Sequence, residues 1–594
     1  MTLEVVPEEV IDPIQLEIIR HSLVAIPDEI DVNITRTAYS PLVYEYKDFA
    51  TGLVDTEGRL VAQGSGSIPI FVANALGNAV RDGLELYGLD EMFEGDVIIS
   101  NHSGTLGQHL NNVVMYTPVF VGPKKTDLFG FMCVLVHWVD VGGNTVGSCW
   151  ASDTTEIFQE GIQYRTVKLW QRGVRNEELY RIIKYNTRFP VMVFGDLDAQ
   201  LAGTLSGRDK FAALVDRYGA NKMRAAIRQI WDQSEAVARA AIEKLPDGVW
   251  KADSFLDGDE VDGWEPVPVC VEVRVSGDSM TIDFSGIGPV LKGPLNSGMF
   301  GGAYPAARIA FKILTAPDEP ANEGCFRPLE IIIPDGTFLS AGGTAPMGLY
   351  SATLPTVIDT IIRAVGNADP SVAAGGHHAS FSAHCFYGTD PVTGELFQQL
   401  DTGHGGWGAT ANQDGGGPYK TMAHGDTLDV PVEVQETICP FVIESLGLRI
   451  DSGGDGIRRG GLGTEKVIKI LTDMSVSVQI DRTKCPPWGL DGGEDGKTAV
   501  AVIENADGEK REIIKGMEKV KKGDSFRLKT GGGGGFGNPL QRDVGMVVSD
   551  IIAGYVSREK AESVYGVILD ANGGLDAAAT ERCRDERNRI TARG

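Results

Sequence analysis

The chain of 594 residues is too long for one hydrophobic core, so several domains are expected. Its 54 basic against 81 acidic residues leave a formal charge of −27, which argues against a nucleic-acid partner. No apolar run approaches a membrane span, the eight cysteines form no C-x-x-C pair, and the N-terminal MTLEVVPEEV is acidic where a signal peptide is basic, so a cytoplasmic chain is expected.

Asp12-Pro13 reads as an N-cap followed by proline at the first helical position, opening a mainly helical segment with an interruption at Pro27. The stretch 43–55 (VYEYKDFATGLVD) reads as a strand carrying Asp48 among apolar and aromatic neighbours. A turn at 56–59 then leads into the paired strand LVAQ. Further strands are expected at 96–99, 113–120 and 131–136. The stretches 176–185, 194–203 and 209–244 read as helices, and Leu245-Pro246-Asp247-Gly248 marks a break.

Beyond the break, 267–284 alternates in period two around a Ser-Gly-Asp turn, the pattern of a β-hairpin. Helices are expected at 296–315 and 354–365, with a strand at 329–333 between them. Glycine-rich loops follow at 375–378, 403–408 and 414–417, then short strands at 466–470 and 476–480, the run TGGGGGFGNP at 530–539, and a helical tail. The expected architecture is α/β (α+β) and multidomain: mixed sheets with helices and long Gly-rich loops. Its parts are an N-terminal metal-site domain over 1–248, a central α/β domain over 249–450, and a β-rich C-terminal domain over 451–594.

The chemistry gathers around VLVHWVDVGG, where a buried strand would carry His137 and Asp140 to its C-terminal end and Gly142-Gly143 let the backbone turn. Upstream, GTLGQHLNN offers His109 in a loop. Two imidazoles and a carboxylate beside buried strands suit a borderline divalent ion such as Zn or Mn. They equally suit a buried His–Asp hydrogen bond that only holds the loops. Asp48 within a strand is costly unless it is ion-paired, with Lys47 or Arg36, or bound to a metal. His377, His378 and His384, followed by His404 and His424, allow a second metal site, a substrate pocket or simple packing.

The five glycines at 531–535 are followed by no Lys-Ser or Lys-Thr, so they are not a phosphate loop and read as a tight backbone crossing. Neither G-x-G-x-x-G opening a helix nor G-x-S-x-G is found, so nucleotide chemistry is expected on another chain.

DPIQLEIIRHSL, RTAYSPLVYEYKDFA, GRLVAQ, HWVDVGG, TEIFQEGI, VPVEVQE, RIDSGGDGIRRGGLG and GGGGGFGNPLQRD together resemble the hydantoinase B/5-oxoprolinase family nearly end to end. That family supplies the metal-bearing subunit of ATP-dependent hydantoinases and lactamases and of acetone and acetophenone carboxylases. The resemblance implies a divalent ion on Asp48, His109, His137 and Asp140, with ATP and Mg on a hydantoinase-A-type partner in a hetero-oligomer. The implied activity is hydrolysis of a small cyclic amide, with ketone carboxylation as the alternative and a structural subunit with a vestigial site as a second. Two departures stand out: Asn112 where the family pattern has aspartate, and Trp138 where it has a second histidine. The latter could wall the site or pack in the core.

Overall fold

In the computed structural model, residues 10–591 are described. The helix Pro13–Thr37 starts where the sequence places it, with the Asp12 carboxylate accepting from the backbone N–H groups of Ile14 and Gln15. It does not stop at Pro27. Leu16, Ile19, Leu23, Ile26, Ile30 and Ile34 keep one apolar stripe buried on both sides of the proline. The helix Pro190–Tyr218 packs against that stripe, with Gly203 set directly over Ile30 and Ile34. Burial of a continuous face outweighs the hydrogen bond that proline removes.

These two helices cover one face of a seven-stranded antiparallel sheet. Its strands are β1 (Phe49–Asp55), β2 (Leu60–Gln63), β3 (Val97–Ser100), β4 (Asn112–Val121), β5 (Asp127–His137), β6 (Val167–Gln171) and β7 (Val174–Arg175), in spatial order β2-β1-β5-β4-β3-β6-β7. Every residue from Phe129 to His137 is buried, which explains the unbroken apolar run in a strand with cover on both faces. Met132, Val134 and Val136 join the core beneath the helix pair. Phe131, Cys133 and Leu135 face the opposite core, which holds the helix Ala75–Tyr87 and Tyr350.

The strand expected at 43–55 begins only at Phe49. Residues Pro41–Tyr44 form a helical turn, and Lys47 takes a left-handed conformation (φ 65°), so Asp48 sits in the entry to β1 and not within it. The helices expected at 194–203 and 209–244 are instead Pro190–Tyr218 and Ala220–Ile242, divided at Gly219 with φ 85°.

The expected hairpin is present as β9 (Val267–Ser276) and β10 (Ser279–Asp283), between β8 (Gly248–Leu256) and β11 (Leu329–Ile332) in a four-stranded sheet. The helices Ala303–Thr315 and Tyr350–Ala368 share its core. A third sheet pairs Ala383–Thr389 with Met474–Gln479 and so crosses the boundary expected at 450. A fourth is formed by five strands between Phe441 and Lys529. No helix among the described residues is long and apolar enough to cross a membrane.

The glycines 531–535 thread through the loops of the C-terminal half. Gly533 N donates to Gly461 O (2.9 Å), Gly534 N to Gly376 O (2.8 Å) and Gly535 N to Glu494 O (2.9 Å). A Cβ at 532, 533 or 534 would overlap the carbonyl oxygens of Ser452, Trp407 or Trp488, respectively. Backbone cannot yield as a flexible side chain can, so Gly533→Ala should cost at least ~2 kcal/mol. Gly447→Ala, with nothing within 4 Å of the added atom, should be close to neutral. Denaturant midpoints of the two variants and the parent chain check this.

Candidate metal centre

Three chain segments reach the same end of the seven-stranded sheet. In the β4–β5 ladder, Asn112 stands opposite His137, the last residue of β5. The His137 backbone N–H donates to Asp48 O (3.1 Å), which ties the entry of β1 to the exit of β5. Before β4 the short helix Ser103–Leu106 ends on Gly107, left-handed at φ 69°, where a Cβ would strike the backbone of Gly298 and Gly301. That close crossing swings the chain so that His109 lies over the strand end.

His109 and His137 meet edge to face with ring centroids 5.0 Å apart, and both are buried. The Cys149 thiol completes the group: its Sγ is 4.0 Å from His137 Nε2, and candidate donor atoms of all three residues lie within 4.8 Å of one another. Burial lowers the pKa of His109 to about 4 and, with His109 beside it, drives that of His137 well below its usual value, so both rings are neutral at pH 7.

A neutral His109 ring carries one proton but faces two oxygens. Its Nδ1 is 3.2 Å from Gly348 O and its Nε2 is 3.2 Å from Asn112 Oδ1. The amide of Asn112 cannot simply be reversed. Its Nδ2 donates to Gln108 Oε1 (3.0 Å), and Gln108 is itself oriented because its own Nε2 donates to Ile70 O (3.2 Å). With Nδ1–H on Gly348 O, the Nε2 lone pair points at an oxygen lone pair. A cation between them resolves that opposition, and a backbone carbonyl on the distal ring nitrogen is the usual support for a metal-binding imidazole. His137 Nδ1 is likewise buried without a hydrogen-bond partner.

The carboxylates point the same way. Asp48 is buried, forms no ion pair with Lys47 or Arg36, and burial alone raises its pKa to about 8. It lies near enough to Cys149 and Tyr350 to push both further up than burial does alone. Glu160 is fully buried. Its Oε1 accepts from Met347 N and Gly348 N (both 2.7 Å), Oε2 has no partner, and burial raises its pKa to about 8 against those two bonds. The convergent donors are His109, His137 and Cys149, a set that fits a divalent cation; Asp48 reaches His137 through its backbone carbonyl, and its carboxylate is not one of the three.

The remaining sequence candidate lies elsewhere. Asp140 is fully buried, but its oxygens accept from Arg188 Nη1 and Arg188 N (both 2.7 Å) and from Gly147 N (3.1 Å). The geometry therefore does not bring Asp140 into the group; it pins the loop that delivers Cys149. Trp138 does not wall the site. It is buried on the opposite face with Nε1 donating to Gln200 Oε1 (3.1 Å), as strand alternation after His137 requires. The later histidines form no second group of three donors among the described residues. His377 Nδ1 lies 3.1 Å from Asp359, and His424 stacks on Phe381 at 4.2 Å. Cys149, Glu160 and Tyr350 carry no spacing signal that the sequence alone could have marked.

The Hydantoinase B/oxoprolinase family model matches residues 12–539. The B-type subunit of a putative D-/L-hydantoinase from Pseudomonas sp. (strain NS671) is 30% identical over 97% of this chain and 98% of its own. The solved ATP-dependent caprolactamase from Pseudomonas jessenii superposes with a TM-score of 0.89 at 27% identity, covering 97% of this chain and 100% of that one. Acetone carboxylase in its nucleotide-free structure shares the fold (TM-score 0.88, 19% identity, 98% and 84% covered). The chain belongs to the hydantoinase B/oxoprolinase family.

Proposed function

We propose that the chain is the metal-bearing subunit of an ATP-dependent hydrolase of cyclic amides (hydantoin, 5-oxoproline or lactam) and works with a second, hydantoinase-A-type subunit that binds ATP and Mg. The observation that carries this reading is the enclosed group of two neutral imidazoles and a thiol, with the buried Asp48 at the entry to β1 tied to His137 through its backbone carbonyl, in a chain related over nearly its whole length to a B-type hydantoinase subunit. His109, His137 and Cys149 would hold a zinc or manganese ion, with the Asn112 carbonyl as a further donor and Asp48, at the entry to β1, as the carboxylate that would join them. When bound, such an ion supplies Lewis acidity toward a carbonyl or an acidified water.

The surrounding residues have separate tasks. Gly348 O orients His109 through Nδ1. Glu160 is about half protonated near pH 8 and has one unbonded oxygen, so it can hold or release a proton beside the group. Met347 N and Gly348 N, both bonded to Glu160, fix the segment that carries Gly348 O beside His109. An ordinary lactam is a stable amide, so coupling its cleavage to ATP on a partner chain is chemically reasonable.

Elemental analysis tests the donor set. The parent chain should carry close to one equivalent of metal, and His137→Ala and Asp48→Asn should lose it. Asp140→Asn should keep the metal but lose about 3 kcal/mol of stability, because it leaves Arg188 facing a loop without its buried counter-charge. Retention of metal by His137→Ala and Asp48→Asn alike rejects the assignment.

The raised pKa values of Asp48 and Glu160 make a second test. In the metal-free chain the folded state holds these protons more tightly than the unfolded state. The contribution of these two groups to stability should therefore be greatest at or below the ordinary carboxylate range and decline as pH rises toward about 8, then level off. A bound divalent ion favours the anion and should flatten that slope. Thermal midpoints with and without chelator across this range read the difference.

Activity is tested by co-expression with the ATP-binding subunit encoded nearest to it. ATP turnover should rise with a hydantoin or lactam and stay at background for the isolated chain. Turnover that responds only to ketones plus bicarbonate would move the assignment to the carboxylases.

A further inference from the structure

A cavity of about 830 Å³ is not lined by any residue of the metal centre. It lies between the helix Ala303–Thr315 and the loop 404–428. Ile309, Ile313, Phe326, Met422 and Trp407 give it apolar walls, a volume and character suited to a small organic ring.

One polar device is built into this apolar wall. His404 Nδ1 lies 2.9 Å from Asp429 Oδ2, and Asp429 Oδ1 accepts from Lys420 Nζ at 2.6 Å. Lys420 is only 3% exposed, and its other protons go to Thr402 O and Oγ1 (both 2.8 Å). Burial works against the Asp429 anion, but Lys420 and His404 hold its carboxyl well below the usual range. An anionic Asp429 takes its hydrogen bond from Nδ1–H, so Nε2 is the ring nitrogen left for a ligand, and it accepts whenever the imidazole is neutral. The backbone is equally fixed: His404 O accepts from Thr530 Oγ1 (2.6 Å) and Thr464 Oγ1 (3.0 Å), and Trp407 Nε1 donates to Lys420 O (2.8 Å).

The charges around the cavity point to an uncharged ligand. Its inner ionic groups are already paired: Arg308 with Glu323 (2.7 Å) and Lys420 with Asp429. Lys312 Nζ donates to Ala316 O. At the mouth Asp318, Glu319 and Asp426 are exposed and carry negative charge, which repels a carboxylate. The same loop leads inward to His424, which is buried and stacks on Phe381 at 4.2 Å.

We propose that this cavity binds an uncharged cyclic amide, a lactam or hydantoin ring, whose N–H donates to Nε2 of His404, and that it disfavours a ring bearing a carboxylate such as 5-oxoproline. The ligand class rests on the hydrolase reading above; the location and the selectivity rest on the cavity alone.

Calorimetric titration of the full-length chain with ε-caprolactam, N-methyl-ε-caprolactam, hydantoin and 5-oxoproline tests this. ε-Caprolactam or hydantoin should bind saturably. N-methyl-ε-caprolactam and 5-oxoproline should each bind at least ~10-fold more weakly than ε-caprolactam, the loss of one hydrogen bond or the repulsion of a charge. His404→Ala should erase the difference between ε-caprolactam and its N-methyl form. Ala321→Trp, which fills the cavity, should abolish binding while circular dichroism and metal content stay as in the parent. Equal affinity for the N-methyl ring, undiminished binding by Ala321→Trp, or no saturable binding of any ring overturns the inference. Binding that survives both chelation and His137→Ala supports a site apart from the metal. If ring binding holds but the complex with the ATP-binding subunit turns over no cyclic amide, the hydrolase reading fails and the cavity stands. If turnover is intact in Ala321→Trp, the cavity assignment fails alone.

Discussion

The register of three strands fixes everything the site contains. With Asn112 paired to His137 and Phe49 paired to Val136, the beginning of β4, the end of β5 and the entry to β1 converge at one edge of the sheet. A shift of one residue would turn His137 toward the core beneath the helix pair and put Trp138 where the imidazole now lies. The buried faces enforce that register: alternate residues of β5 fill two different cores, and neither core could accept the other's set.

Within that frame the site departs from ordinary packing. Several buried carboxylates elsewhere in the chain are ion-paired, Asp359 with Arg482, Asp481 with Lys515, Asp401 with Lys466 and Asp140 with Arg188, while others such as Asp196 and Asp257 accept from backbone N–H groups. Asp48 has no such partner, and the two histidines beside it are neutral. Asp48 is left without a counter-charge close to the point where imidazole nitrogens and a thiol converge. Such placement of unpaired polar groups is a mark of function more than of stability.

The C-terminal half serves the site from a distance. The glycine thread at 531–535 holds the loops at 375–376, 406–409 and 453–461 in direct backbone contact, and these loops fix the bases of His377, His378 and His404. No side chain fits at these crossings, so the glycines are a steric requirement of loop assembly and not a phosphate cradle. The third sheet, built from strands on both sides of residue 450, ties that assembly into one body with the central region.

Composition and local pattern marked strands within β1 to β5, the hairpin and several helices, but not β6, β7, β8 or the helix Ala75–Tyr87. Alternation marked the 267–284 hairpin, the unbroken apolar run marked β5 as covered on both faces, and Asp12-Pro13 marked the first helix start, because each signal is local. The meeting of His109 and His137 was legible for the same reason: each lies at or beside a strand terminus that periodicity locates. Only the tertiary structure decided the rest. The helix passes through Pro27 because a distant helix buries its face on both sides, and Asp140 leaves the group because Arg188, 48 residues later, captures it. Cys149, Glu160 and Tyr350 reach the site, and His404 gains its orienting Asp429, through folding between segments with no fixed spacing. Ion pairs and donor groups of that kind depend on where chains cross, and crossings are set by the packing of whole faces, which no short stretch of sequence encodes.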